Sequence, residues 1–327
     1  MHGLGCGVPE EGDRKKVLSM KSLEVQTTPG TLPASGRERS KSGSWLAYLL
    51  MSPVLIYLLA VMAIPFGWAV YLSLTNKVVG VPETFVGLRN YAELLADSVF
   101  WKAVWNTLVF TLVAVILKAV FGMIMALVLN ENIVARNFFR VMLFLPWTIP
   151  TIVSVFTWQW IYSDVGGVLN ALLLKTGLID SPVGWLATPD LAMFSVILVN
   201  VWRGIPFMGI AILAGLQTVS KEMYEAAMLD GAGAIKRFFY MTLPSVKEVT
   251  ILSSVITTIW TLNDFEIIWL LTRGGPDNGT QVLSTLSYTV GFLNMSLGKA
   301  IAISVITLPP LIMLINYVTK RSLASDK

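Results

Sequence analysis

The chain has 327 residues, of which 55% are hydrophobic and only 13% charged, against roughly 25% charged in an ordinary soluble domain. With a mean hydropathy of +0.69 and a formal charge of +4, a water-soluble fold of this length would have more apolar surface than it could hide. Single cysteine and histidine residues, Cys6 and His2, exclude disulfides, a Cys/His metal cluster and the usual acid–base chemistry. Basic residues do not interleave with aromatics in a polar stripe, which sets nucleic acid aside.

Residues 1–44 are rich in Gly, Pro, Ser and charge and predict a solvated cytoplasmic tail. They are not a secretory signal, because no apolar core follows Arg14-Lys15-Lys16; Met20 is an alternative start. Six apolar runs follow, each near the ~20 residues that cross a bilayer as helix. They cover 45–74, 103–129 with Lys118, 141–162 with Pro146 and Pro150, 191–216 with Arg203 and Pro206, 249–271 with Asp264 and Glu266, and 298–318 with Pro309 and Pro310. Such prolines are tolerated in membrane helices, and continuous rather than alternating apolar residues argue against a β-barrel. The pattern predicts an all-α membrane protein with six transmembrane helices in one domain over 45–321, and a cytoplasmic end at 322–327.

Lys and Arg orient the chain. With the amino terminus in the cytoplasm, six spans return the carboxyl terminus there. The tail, the 130–140 turn, the 217–248 segment and the end of the chain then hold sixteen Lys and Arg. The outer loops hold five: Lys77, Arg89, Lys102, Lys175 and Arg273. Without the tail the bias is still nine against five.

Between the fourth and fifth runs lies the polar segment 217–244, containing Tyr224-Glu225-Ala226-Ala227-Met228-Leu229-Asp230-Gly231-Ala232-Gly233 and ending in Leu243-Pro244. Ala226, Ala227 and Ala232 let another surface approach the backbone, and Gly231 and Gly233 permit a tight turn between two short helices. Glu225 offers a carboxylate suited to a partner arginine; Asp230 adds a second acid. This spacing closely resembles the cytoplasmic EAA loop of ABC-importer permeases, where the membrane subunit meets its ATPase. Met241 stands where that family usually has Ile, a volume-conserving change.

Other segments are similar to the sugar branch of the same family, which includes maltose and glycerol-phosphate permeases: Asn106-Thr107-Leu108, Phe144-Leu145-Pro146-Trp147 with Pro150, Ala214-Gly215-Leu216-Gln217 and Leu271-Thr272-Arg273-Gly274-Gly275-Pro276. The resemblance spans nearly all of 45–321. It implies the type I ABC-importer permease fold in a bacterial inner membrane, a second and different permease subunit, two ATPase subunits, an extracytoplasmic solute-binding protein and a sugar substrate. It also implies no cofactor on this chain, ATP and magnesium being bound by the ATPase. Consistently, the one Gly-Lys pair, Gly298-Lys299, lacks the glycine and hydroxyl residue of a phosphate-binding loop and reads as an interfacial lysine.

Charges inside the spans mark the expected solute path, because a buried charge must face protein or water. Asn200, Trp202 and Arg203 on the fourth run, with Trp260, Asn263, Asp264 and Glu266 on the fifth, combine hydrogen-bonding groups and aromatic faces suited to carbohydrate. The alternative is that Lys118, Arg203 and the acids only pair and hold helices together. Lys118 and Arg203 keep an anionic substrate open, such as a uronate oligosaccharide like alginate, or glycerol phosphate. A secondary carrier without an ATPase is a lower-ranked alternative. An intramembrane enzyme is disfavoured, since Asp264 and Glu266, two apart on a continuous helix, would point to different faces.

Overall fold

The structure, a computed structural model, describes residues 42–131 and 134–324. Most of the expected tail, with Cys6 and His2, lies outside the described residues. The chain divides into two compact units, Met1–Tyr57 and Leu58–Lys327. Helix α1, Ser42–Ser73, begins in the first and ends in the second. Its large side chains, among them Tyr57, Met62 and Ile64, are exposed. A helix that is apolar all round and unburied by its own chain needs lipid or another subunit as its solvent.

Next come α2 (Arg89–Ala96) and α3 (Ser98–Asn130), α4 (Arg136–Thr148) and α5 (Thr151–Ile161), α6 (Val168–Lys175) and α7 (Pro189–Leu216). Two short helices, α8 (Lys221–Leu229) and α9 (Ala234–Arg237), precede a π-helical turn over Phe238–Thr242 and α10 (Leu243–Leu262). The chain ends with α11 (Glu266–Thr272), α12 (Leu283–Tyr288), a second π-helical turn over Thr289–Leu293, and α13 (Leu297–Ala324).

Helix α3 explains how an all-apolar sequence acquires an inside. Ala103, Thr107, Phe110, Ala114, Lys118, Gly122, Met125 and Leu129 recur at helical spacing and are buried. Trp105, Leu108, Leu112, Ile116, Val120 and Ile124 occupy the other side and are exposed. The buried stripe holds the small and polar residues, as expected where lipid competes equally well for apolar side chains. Its centre is a close approach to α7. A Cβ on Gly122 would stand 2.6 Å from Met208 Cγ and 3.0 Å from the Gly209 nitrogen, and one on Gly209 would stand 2.7 Å from Met125 Sδ.

Two expected spans are broken. Helices α4 and α5 meet at 93°. Ile149 is extended, φ −69° and ψ 133°, because the ring of Pro150 disfavours helical backbone in the residue before it. Pro146, one turn earlier, is accommodated inside α4. Helix α10 ends at Leu262, and the chain bends by 43° before α11. Here side chains compete with the backbone ladder: Asn263 Nδ2 donates to Ile259 O at 2.8 Å, and Asp264 Oδ1 accepts from Ile267 N at 3.2 Å.

Among the described residues, α3, α7 and the Tyr48–Ser73 part of α1 are long and apolar enough to cross a membrane. Each broken pair, taken as one span, raises the number to five. The sixth expected run, 298–318, falls within the 28-residue helix α13.

At the other end of the core, two of the sequence motifs meet. Asn106 Nδ2 donates to Asn278 O and Gln281 O, both at 2.9 Å, and Thr107 Oγ1 accepts from Leu283 N at 2.9 Å. Asn106-Thr107 thus fastens the loop that follows Gly274-Gly275-Pro276. Glu93 of α2 binds Arg89 at 2.9 Å and Lys299 of α13 at 2.7 Å. Lys299, expected to be an interfacial lysine, is also an ion-pair partner.

Candidate functional site

Six of the seven path residues predicted from sequence line one cavity of about 500 Å³: Asn200, Arg203, Trp260, Asn263, Asp264 and Glu266. Trp202 is not in its wall and packs edge-on against Trp158, with ring centroids 5.6 Å apart. Because α10 breaks at Asn263, Asp264 and Glu266 both reach the cavity. The expectation that they point to different faces is corrected: it assumed a continuous helix, and Asp264, just before the N-cap Phe265, accepts from Ile267 N of the next one instead.

Sequence reasoning left Lys118 off the path and missed Thr151, Phe207, Thr257 and Thr261, all of which line the cavity. The spacing of Thr257 and Thr261, one turn apart on the face that also carries Ser253, could have revealed the polar side of α10.

The charges are held by polar neighbours rather than by one another. Lys118 Nζ donates to Thr261 Oγ1 at 2.9 Å, and the Cδ and Cε of its stem fill the space that any side chain at Gly204 would need. Arg203 Nη1 donates to Thr151 Oγ1 at 2.6 Å and Nη2 to Ile149 O at 3.3 Å. Asn200 Nδ2 donates to Asp264 Oδ2 at 2.7 Å. No salt bridge joins Lys118, Arg203, Asp264 and Glu266 among the described residues; Lys77–Glu83, Arg89–Glu93 and Lys299–Glu93 lie elsewhere. The reading in which opposite charges simply pair is therefore replaced by bridges through Thr, Asn and a backbone carbonyl.

Some capacity is left over. Asn200 Oδ1, Arg203 Nε and Thr257 Oγ1 are buried without a hydrogen-bond partner among the described residues. Phe207 and Trp260 stand 4.7 Å apart at an interplanar angle of 57° and form an aromatic wall. A cavity with unused donors and acceptors and an aromatic side offers hydrogen bonds to hydroxyls and a flat apolar face.

The second predicted site, the 217–244 segment, forms a compact joint. Gly231 has φ +77°. Its nitrogen donates to Met228 O at 3.0 Å, and Ala232 N donates to Ala227 O at 2.9 Å. This paired closure ends α8 on a left-handed residue, which is why the position favours glycine. Gly233 has ordinary negative φ, −65°, and opens α9 instead. Tyr224 Oη lies 3.0 Å from Thr242 Oγ1 and ties α8 to the π-helical turn. That wider turn leads into Leu243-Pro244, where the proline cannot donate to the helix ladder. Glu225, Ala226, Asp230 and Gly231 are exposed; Ala227 and Ala232 are half-buried.

Residues 118–323 match the family described as the binding-protein-dependent transport system inner membrane component. The chain belongs to this family. It is a mostly helical membrane permease, and it lies among transporters rather than catalysts. It is 39% identical to the trehalose/maltose transport system permease protein MalF of Thermococcus litoralis over 260 residues, covering 79% of this chain and 88% of that one. It is 35% identical to the sulfoquinovosyl glycerol transport system permease protein SmoG of Agrobacterium fabrum, covering 79% and 84%. The trehalose transport system permease protein SugA of Mycobacterium tuberculosis is 31% identical, covering 88% and 91%. The permease fold also superposes on a solved bacterial ABC transporter involved in import of the acidic polysaccharide alginate, with a TM-score of 0.73 over 88% of this chain and 98% of that one, at 23% identity.

Proposed function

We propose that this permease forms the translocation path for a neutral sugar in a binding-protein-dependent ABC importer. The observation that carries the substrate reading is the 500 Å³ cavity, whose two cations and two acids balance while buried polar atoms stay unpartnered beside the Phe207–Trp260 wall. Sugar hydroxyls would take up Asn200 Oδ1 and Thr257 Oγ1, and the apolar face of the ring would rest on Trp260. Lys118 Nζ, Arg203 Nη1 and Asp264 Oδ2 already have protein partners, so a charged substrate would find Arg203 Nε open and would otherwise have to displace them. The names of the relatives, trehalose/maltose and trehalose permeases, support the same reading.

The exposed Glu225-Ala226-Ala227 surface and its glycine-closed turn would be the joint gripped by a separate ATPase subunit, with ATP and magnesium bound there. A second permease subunit would complete the path, and two ATPases would drive it. The 164–190 segment, facing outward in the orientation read from Lys and Arg, would receive the solute-binding protein. ATP closing the ATPase pair would drag the joint and tilt the spans outward-facing; solute would then enter the cavity, and hydrolysis would reverse the tilt.

The test is uptake of labelled trehalose and maltose by cells carrying the complete importer, competed with neutral disaccharides and with oligouronates. Competition by neutral sugars, with reduced apparent affinity in Trp260→Ala and Asn200→Ala, is expected. Competition by oligouronates alone would move the reading to an acidic substrate. Uptake that persists without the ATPase would replace the importer with a secondary carrier.

A further inference from the structure

Two short segments of the permease carry the same chemistry. Arg136-Asn137-Phe138-Phe139-Arg140 opens α4, and Lys236-Arg237-Phe238-Phe239-Tyr240 joins α9 to the π-helical turn. Far apart in sequence, they face one groove of about 1050 Å³ whose wall includes Arg136, Arg140 and Arg237. Arg140 Nε and Nη2 and Arg237 Nε are buried with no hydrogen-bond partner among the described residues. Glu131, Glu225 and Lys221 line the same groove. Neither acid is in a salt bridge with the arginines among the described residues. The wall thus holds four cations against two carboxylates.

A guanidinium that is partly desolvated and meets no acceptor is costly, and a phosphate, with several oxygens in fork geometry, is the group that relieves it best. The surroundings indicate where the phosphate comes from. Phe138, Phe139, Phe239 and Tyr240 are all exposed, Tyr240 at 81%. Exposed aromatics interleaved with Arg and Lys are the composition of a membrane–water boundary, and the positive-inside bias puts this end of the molecule at the cytoplasmic leaflet, where anionic lipid concentrates. Phe138, Phe139, Phe239 and Tyr240 stand outside the groove wall itself; at that boundary they face lipid, which brings lipid phosphates close to the arginines.

We propose that this groove binds the phosphate of an anionic phospholipid, with Arg136, Arg140 and Arg237 as its ligands and the flanking aromatics against the glycerol and upper acyl chains. The site is separate from the sugar cavity and does not depend on the substrate reading, but its wall shares Tyr224, Glu225 and Met228 with the segment proposed as the ATPase joint, which is why the test also follows the ATPase.

The full chain, purified in mild detergent, is titrated with phosphatidylglycerol or phosphatidylcholine, and retained lipid is measured by native mass spectrometry. Wild type is expected to retain phosphatidylglycerol selectively. The double variant Arg140→Gln/Arg237→Gln is expected to bind it on the order of tenfold more weakly, two surface-bound charges having been removed. Equal retention by wild type and double variant overturns the proposal. Displacement of the lipid by millimolar inorganic phosphate would reassign the groove to a free anion. Wild type retaining no anionic lipid, while the double variant loses its ATPase subunit, would reassign it to an acidic side chain of that partner. If the double variant does not fold, Arg136→Gln carries the same test, with a smaller loss expected; unchanged retention in that variant counts against the site.

Discussion

Arg203 Nη1 lies 2.6 Å from Thr151 Oγ1, and Nη2 lies 3.3 Å from Ile149 O. The fourth span therefore reaches across to the third at the point where Pro150 breaks it. An extended Ile149 leaves a carbonyl that no helix satisfies, and a cation on a neighbouring helix takes it. Arg203 serves both the elbow and the cavity, so its replacement is expected to affect more than affinity. Arg203→Ala should destabilise the protein by about 1.5–3 kcal/mol, the range for hydrogen bonds to a charged group, and Arg203→Lys should recover part of that. Thermal unfolding of both variants in detergent checks this; equal stability of wild type and Arg203→Ala would contradict it.

Asn200 and Asp264 bridge the fourth and fifth spans at 2.7 Å. Asn200→Leu removes a donor and leaves a half-buried carboxylate with less support, which is expected to cost about 1–3 kcal/mol and to abolish uptake. The double variant Asn200→Leu/Asp264→Leu should be more stable than Asn200→Leu alone while still failing to transport. A double-mutant cycle on unfolding and uptake separates the two effects. Additive stability losses would show that the pair does not interact.

Gly122 and Gly209 set the spacing of α3 and α7. A side chain at Gly122 would meet Met208 at 2.6 Å and backbone at 3.0 Å, so Gly122→Val is expected to cost about 1–3 kcal/mol through overpacking. The companion Met208→Gly should relieve part of the loss by clearing both Cγ and the Cβ at 2.8 Å, which Met208→Ala would leave in place. Measured melting temperatures of the three variants decide this.

The ion pairs outside the spans give a pH dependence. Hydrogen bonds from Lys299 and then Arg89 hold the Glu93 carboxyl below its ordinary range. A depressed carboxylate pKa contributes stability above the unfolded value, and the contribution is lost as pH falls through the folded one. The clasp between α2 and α13 should therefore weaken only in acid, below the usual glutamate range. Glu93→Gln should remove that part of the acid dependence and leave stability at neutral pH little changed, because the pair is solvent-exposed. Unfolding midpoints of wild type and variant across the acid range are the measurement.

The order of helices and the residues around the cavity were legible because burial in a membrane is expensive for charge, so Arg203 and Asp264 marked the inside wherever they fell. The motif around Glu225 was legible for another reason. Its glycine sits at the one position where α8 must turn left-handed, and such a requirement appears directly in sequence. What could not be read was continuity. An apolar run looks the same whether straight or broken at 93°, and only the extended residue before Pro150 and the carboxylate of Asp264 end the helices. Trp202 falls outside the cavity wall for the same kind of reason: neighbours in sequence point to different sides of a helix, and Trp202 turns to Trp158 while Arg203 turns to the cavity.

Gly231, with φ +77°, gives the joint its own prediction. Gly231→Val should strain the left-handed turn by about 1–2 kcal/mol and loosen α8 without touching the cavity, so the binding of sugar should survive while ATP-driven uptake falls.

If an ATPase grips this permease at the Glu225-Ala226-Ala227 surface, changing that surface must release the ATPase. The direct measurement is co-purification of the partner ATPase with wild type and with Glu225→Arg/Gly231→Val, in detergent, alongside a melting curve for each membrane protein. The predicted result is a folded variant that has lost its ATPase. A folded variant that keeps a fully coupled ATPase would contradict the account.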